Sequence, residues 1–309
     1  MKYLSLLFLV TLAGCSSEEG TDGPPSPEKL ADLQCMAWDL VLVDDEPFLR
    51  VLRTIDQQRE DAVIRVRSDG STETLLSSRV GDWEPTRLQT DGTGLYVLQG
   101  HLLNDSWRLV RVAPGQPATP YVLLEGQEGS IDWRTNTTHV FWCDANGLHR
   151  TAKSGGASEN LLPTATYCDV YAADDMAVLF GHSAALFLMP ATGGDATKVV
   201  DGDAGSAVMD AENVYFGGED VRVYWVPRSG GAPALLADGF SVTEHGSHVY
   251  FGRLNDSGEY YEVEYNIWRV AKQGGTPEGY FTGHRTYAHH FGSTHTYFAT
   301  SNALYRVPY

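Results

Sequence analysis

One short pattern recurs seven times along this 309-residue chain, and it leaves few folds open. The copy MDAENVYFGGEDVRVYWVPRSGGAPALLAD (209–238) shows it whole. A turn built on Asp210 leads into the aromatic run VYF (214–216), a second run ends in VPRSGG, and a short apolar run, ALLAD, closes the unit. Aligned ahead of the Gly pair, the copies pass through Val66, Val112, Thr151, Met189, Val226, Val270 and Val307. The intervals are 46, 39, 38, 37, 44 and 37 residues. A period of roughly 40 residues with four short strands per unit predicts an all-β propeller of four-stranded blades. The count is seven, with six or eight left open, because the copy at about 35–77 is the most degenerate.

Each unit can be read strand by strand, A to D from the central channel outward. Strand B carries an apolar or aromatic core: LYVL (95–98), VFW (140–142), VLF (178–180), VYF (214–216), VYF (249–251) and TYF (296–298). Four residues before each core stands Asp91, Asn136, Asp174, Asp210, His245 or Gly292. Asp and Asn there can accept backbone N–H groups in an Asx turn between strands A and B. The Gly pair suits the left-handed positions of the C–D turn. The last copy stops at Tyr309 after its third strand, whereas PEKLADLQ (27–34) reads like the fourth-strand copy APALLADG (232–239). The N-terminal segment is therefore expected to complete the last blade, closing the ring and removing both open edges.

The segment before this domain reads as targeting sequence. Lys2 precedes an apolar run, Tyr3–Ala13, too short to span a bilayer as a mature helix. Leu12-Ala13-Gly14-Cys15 then resembles the lipobox of bacterial lipoproteins, which implies a signal peptide over 1–14 and acylation, such as palmitate, of Cys15. By the same resemblance Ser16, where some sorting signals have aspartate, implies the outer membrane. Residues 15–27 read as lipidated cysteine and flexible tether, and 28–309 as one domain.

The formal charge of −18 becomes −19 once Lys2 leaves with residues 1–14. Such a surface repels phosphates and anionic headgroups, which argues against nucleic-acid or polybasic membrane binding. The chain is expected to be a monomer that meets the membrane through its lipid alone. Beyond Cys15 there remain Cys35, Cys143 and Cys168, none at metal-ligand spacing. Cys143 and Cys168 stand in consecutive copies and are the candidate disulfide.

The pattern Asp-x-x-x-Val-Tyr-Phe…Arg-Val-Pro-x-x-Gly-Gly-x-Pro-x-x-Leu-Ala resembles the repeat of bacterial lipoproteins in the TolB-like and YWTD-like propeller group. The resemblance spans 28–309, and many members of that group have six blades. It implies the fold and says little about what is bound.

Candidate chemistry is sparse. There is no Gly-x-Ser-x-Gly, His-Glu-x-x-His, phosphate loop or dinucleotide fingerprint. His139, His248 and His295 share one repeat position, so a ring holds them apart and they cannot ligate one ion. His289 and His290 fall in strand A of the last blade, where adjacent residues face opposite ways and only one can enter a given space. Strand A elsewhere offers Arg87, Gln89, Asp132, Arg134, Asp169, Ser206 and Ser241, interleaved with Trp133, Tyr171, Phe240 and Tyr287. Those residues could bind a polar ligand at a central funnel, or pair with one another and tie blades together.

The long copies all expand between strands B and C, at 53–61, 99–107 and 252–266, which places the extensions on one face of the disk. The longest brings Tyr260, Tyr261 and Tyr265 among acidic residues. The expected contact surface is that face: the three tyrosines with Arg87, Asp132, Arg134, Asp169 and His289. The expected partner is a protein, peptide or carbohydrate. The expected function is non-catalytic binding or scaffolding in the cell envelope, with no cofactor and no metal. The alternative is a metal-dependent hydrolase resembling lactonase propellers, for which Asp132 and Asp169 form the beginning of a channel carboxylate set.

Overall fold

The computed structural model describes residues 26–33, 35–79, 83–101, 103–113, 121–127, 131–253, 266–281 and 286–309. Their strands form seven antiparallel four-stranded sheets, the blades of a propeller. The innermost strands, A, are Met36–Val43, Trp83–Thr90, Asp132–Thr135, Asp169–Ala173, Ala204–Met209, Phe240–His245 and Ala288–Phe291, for blades 1 to 7. Blades 1 to 6 run in chain order from A to D. Blade 7 borrows its outermost strand, Glu28–Asp32, from the start of the domain, and that strand pairs with Ala303–Pro308.

The borrowed strand obeys the same rules as its counterparts. In every blade the outermost strand carries one extra apolar residue opposite strand C: Leu75, Leu123, Leu161, Val199, Leu236, Tyr280 and, in the closing strand, Leu30. A bulge at each rim twists the edge and spoils it as a template for another chain. The closing strand also repeats a cross-strand ion pair. Arg306 holds Glu28 through hydrogen bonds of 2.8 and 3.1 Å, as Arg150 holds Glu159 and Arg269 holds Glu278. The structural equivalence therefore aligns EKLAD with ALLAD (234–238).

Between blades the core is aromatic and aliphatic. Phe141, Val170 and Phe180 fill the space between blades 3 and 4, and Tyr215, Val249 and Phe251 that between blades 5 and 6. Cys143, ending strand B of blade 3, is bonded to Cys168, just ahead of blade 4, with Cα atoms 5.5 Å apart. Cys35 is a free, half-buried thiol.

The A–B turns do more than reverse the chain. Asp91 accepts N–H groups of Thr93 and Gly94 at 2.9 and 2.7 Å, Asp174 those of Met176 and Ala177, and Asp210 those of Glu212 and Asn213. Each of these carboxylates also receives a cation from the C–D turn of the next blade: Lys153 to Asp91 at 2.5 Å, Arg228 to Asp174 at 2.8 Å, Lys272 to Asp210 at 2.8 Å. The strand-B tyrosine completes the knot, Tyr96 donating to Asp91 and Tyr215 to Asp210. Where blade 4 has Ala191 in place of a cation, the position facing it is the uncharged Asn136. Where blade 7 has Tyr309, it is His245, stacked on that ring at 4.9 Å. In these five blades the turn residue thus matches its neighbour.

Blade 1 departs from the pattern for a visible reason. It reverses from strand A to B over two residues, Asp44 and Asp45, both at positive φ, so no Asx turn is needed. Asp45 instead reaches blade 7, where it accepts the Ser293 N–H at 2.8 Å.

Candidate binding mouth

Strand A should alternate strictly between channel and core, and in blade 3 it does. Asp132 and Arg134 line the channel side, while Trp133 between them is fully buried. Trp133 is thus not the funnel aromatic that the sequence pattern suggested: it packs against Tyr96 between blades 2 and 3, ring centres 6.1 Å apart. In five other blades strand A is bulged, and the residues skipped in the pairing are Trp38, Thr86, Tyr171, Gly205 and the pair Ser241–Val242. Two residues opposing one re-aims a side chain. Ala37 and Val170 stay in the core, while Trp38 and Tyr171, next to them, turn into the funnel. Trp38 is 43% exposed, and it was missed because alternation assigns it no role. The signal was present in MAWDL, where the apolar rhythm breaks by one residue between Ala37 and Leu40.

The mouth these strands build lies on the face of the B–C and D–A connections, and its two halves differ chemically. On the side of blades 2 to 6, a cavity of about 490 Å³ is lined by Arg87, Asp132, Arg134, Asp169, Tyr171 and Ser206, among others. Here a chain of bonds steps from blade to blade. Arg87 pairs with Asp132, and Arg134 donates to the Tyr171 carbonyl at 2.7 Å. The Tyr171 hydroxyl donates to the Ala204 carbonyl, and Ser206 Oγ accepts the Val242 N–H at 2.9 Å. Gln89 donates to the Trp133 carbonyl at 2.6 Å. The charged residues therefore both line the cavity and tie the blades.

Asp132 and Asp169 lie close enough to act on each other, and their surroundings shift them in opposite directions. Burial would raise Asp132, but Arg87, the hydrogen bond from Asp169 and Arg134 together hold it below its ordinary value. Asp169 is pushed up to about 6, first by burial and then by Asp132 itself. Tyr171 rises to about 12, through burial and then the nearby carboxylates. Arg134 falls to about 10 through burial, yet stays charged at neutral pH.

On the side of blades 6, 7 and 1, a cavity of about 650 Å³ is lined by Met36, Trp38, Phe240, Ser241, Tyr287 and His289, among others. Trp38 meets Tyr287 edge-on at 6.2 Å. Ser241 holds φ of 54°, a left-handed conformation costly for a side chain other than glycine's, within the bulge of its strand. His289 touches the channel but is otherwise walled by protein, and burial followed by His290 lowers it to about 4, so it is neutral. His290 lines a separate cavity of about 330 Å³ with Asp45 and Thr90, next to the A–B turns.

The remaining candidates separate cleanly. His139, His248 and His295 sit one per blade, each against the hydroxyl of the residue before it: Thr138, Ser247 and Thr294, at 2.8, 3.1 and 2.8 Å. Tyr260, Tyr261 and Tyr265 lie outside the described residues. Among the described residues no three His, Cys, Asp or Glu side chains group closely enough to hold a metal ion.

No protein-family model matches the chain, and no curated protein matches it in sequence. Solved structures do match it in shape. The propeller domain of the trilobed protease from Pyrococcus furiosus, with an open velcro topology, superposes with TM-score 0.66 at 10% identity, covering 88% of this chain and 95% of that one. Oligogalacturonate lyase from Vibrio parahaemolyticus gives 0.63 at 11% identity, over 93% and 94%. BamB from Moraxella catarrhalis gives 0.58 at 11%, over 92% and 96%. At these identities the likeness shows the fold. The chain is a seven-bladed β-propeller.

Proposed function

We propose that this propeller is a lipid-anchored protein of the bacterial cell envelope, held on the outer membrane through Cys15, that binds a ligand or partner at its mouth without transforming it. The observation that carries the reading is the exposed Trp38, turned by a bulge into the mouth beside Tyr287, on the same face as the cavity lined by Arg87, Asp132 and Asp169. A large aromatic side chain left 43% exposed in a concave mouth, with Tyr287 and Ser241 on the same wall, offers a ready contact surface. Tyr260, Tyr261 and Tyr265 are included in the proposed contact on their sequence position between strands B and C alone. The test is site-specific photo-crosslinking in intact cells. A crosslinker at position 287 should capture a partner or lose reactivity on ligand binding, and one at position 139, across the disk, should not. Capture only at 139 overturns the reading. Palmitate labelling that persists in Cys15→Ala overturns the anchor.

A second reading rests on the neighbouring carboxylates Asp132 and Asp169 at the wall of the polar cavity. A carboxyl group with a pKa of about 6 is suited to general acid or base work near neutral pH. A metal-dependent hydrolase fits less well, because Asp132 is already paired with Arg87 and no third His, Cys, Asp or Glu among the described residues groups with the two carboxylates. Metal analysis with a chelator-dependent thermal shift separates the two: stoichiometric metal whose removal lowers the melting temperature favours the hydrolase.

A further inference from the structure

We infer that the ligand of the mouth is an oligosaccharide, laid with one sugar face on Trp38 and with its hydroxyl groups on the Arg87–Asp132–Asp169 cluster. The inference rests on the reading of the mouth as a binding site and adds the class of ligand. Its basis is how closely the two cavities neighbour each other along the chain. Asp39, the residue after Trp38, accepts the Leu88 N–H at 3.3 Å, which sets Trp38 one strand away from Arg87, the residue before Leu88. At the other junction, a single bulged strand gives Phe240 and Ser241 to the aromatic cavity and Val242 to the polar one. A ligand entering the mouth therefore meets an aromatic wall and a hydrogen-bonding wall at once. Each cavity falls within the roughly 300–1,000 Å³ typical of small-ligand sites.

Other ligand classes fit one wall and not the other. A purely apolar ligand would strip water from Arg87, Asp132 and Asp169 without replacing it, which is costly for charged groups. A polyphosphate would meet two aspartates in a chain of net charge −18, with no glycine-rich loop to receive it. An extended peptide binds best by adding a strand to an open edge. Here five of the seven inner strands are bulged, so the even ladder that such pairing needs is interrupted.

A sugar ring has what the mouth asks for: a face of C–H groups for an indole, and hydroxyl groups that both donate and accept. Arg87 can only donate and Asp132, ionised, can only accept. Asp169, raised by burial and by Asp132, accepts when ionised and donates when protonated. The 42% exposure of the Arg87 side chain leaves it reachable from solvent although it is paired.

The experiment uses the mature chain with hexasaccharides of three kinds, neutral cello- and chito-oligosaccharides and anionic oligogalacturonate, followed by calorimetry and tryptophan fluorescence. At least one series should bind. Trp38→Ala should weaken it about tenfold, the loss of one stacking contact, and Arg87→Gln should weaken it independently. Tyr167→Ala, 80% exposed and absent from both cavity walls, should leave it unchanged. Preference for the uronate series would show that Arg87 reads carboxylate, and equal binding would show that it reads hydroxyl groups. If no saccharide binds, yet a captured peptide or protein shields position 287 from crosslinking, the sugar is wrong and the mouth remains a site. If the native partner binds with position 287 still reactive, both fail.

Discussion

The two faces of this disk are built by opposite rules. On the face of the A–B and C–D turns, repeat-equivalent residues answer one another: Asp91 meets Lys153, Asp174 meets Arg228, Asp210 meets Lys272, and Asn136 stands opposite an alanine. On the mouth face, equivalent positions hold unrelated residues: Trp38, Thr86, Tyr171 and Gly205 all occupy the bulge of strand A. The difference teaches where a repeat protein keeps its stability and where it keeps its specificity. Positions held in common satisfy each other and close the ring, whereas positions that differ from blade to blade are left to face what enters from outside.

The largest test of this contrast removes the seam. Deleting 27–34 strips the fourth strand from blade 7 and uncovers the apolar surface around Leu304 and Ala299. The melting temperature should fall by about 10 °C or more, from the loss of several kcal/mol of burial. Deleting 16–26 should leave it unchanged, and equal melting of the two truncations would defeat ring closure.

Next comes Lys153→Met on the turn face. Lys153 and Asp91 are only 9% and 10% exposed, so the substitution buries an unpaired carboxylate and should cost about 3–5 kcal/mol. Adding Asp91→Asn to the same chain should recover most of that loss. A double variant no better than the single one would show that the lock does not work through charge.

Acid should loosen the same face. Burial would raise Asp91, but Lys153 and the turn N–H groups overcome it and hold the carboxyl well below its usual range. Asp210 falls to about 2, against burial, through Lys272 and its own turn. A folded pKa below the unfolded one stabilises fully above about pH 4 and is lost as pH falls towards 2. About 2 kcal/mol should disappear at Asp91 alone, read as a melting-temperature limb absent from the Asp91→Asn, Lys153→Met chain.

The mouth should respond with the opposite sign and a smaller size. Asp169 is raised in the fold, so its contribution is complete below about pH 4 and is lost as pH rises through about 6. Solvent at the mouth holds this to about 1 kcal/mol. Asp169→Asn should flatten that part of the stability profile. Smallest of all, Trp38→Ala should change stability by less than about 1 kcal/mol, since nearly half of the ring already faces solvent. A loss as large as that of Lys153→Met would mean that Trp38 is a core residue and not a contact.

The fold was legible because its information is periodic. The strand-B cores, the Asx turns and the match of 27–34 to a fourth strand are each local, and each reappears in the sheets. The uncertainty at blade 1 came from its two-residue aspartate turn, which replaces the consensus and still reverses the chain. The polar half of the mouth was also legible, since Arg87, Asp132, Arg134 and Asp169 meet where equivalent strand-A positions converge. The aromatic half was not. A bulge shifts the register by one residue, so strict alternation placed Trp133 in the funnel and overlooked Trp38. The inter-blade locks were within reach, because Lys153, Arg228 and Lys272 hold one repeat position, but pairing them needed the neighbour relation that only the ring supplies.

The seam also imposes an order in time. Glu28 and Arg306, bound to each other in the finished ring, lie 278 residues apart, so a strand made early waits for one made much later. Until Ala303–Pro308 emerges, Glu28–Asp32 has no partner, and seven blades cannot become a circle. Ribosome-stalled chains that end before residue 303 should therefore remain protease-sensitive near Leu30, and chains released with residue 309 should gain protection at both ends of the sequence together.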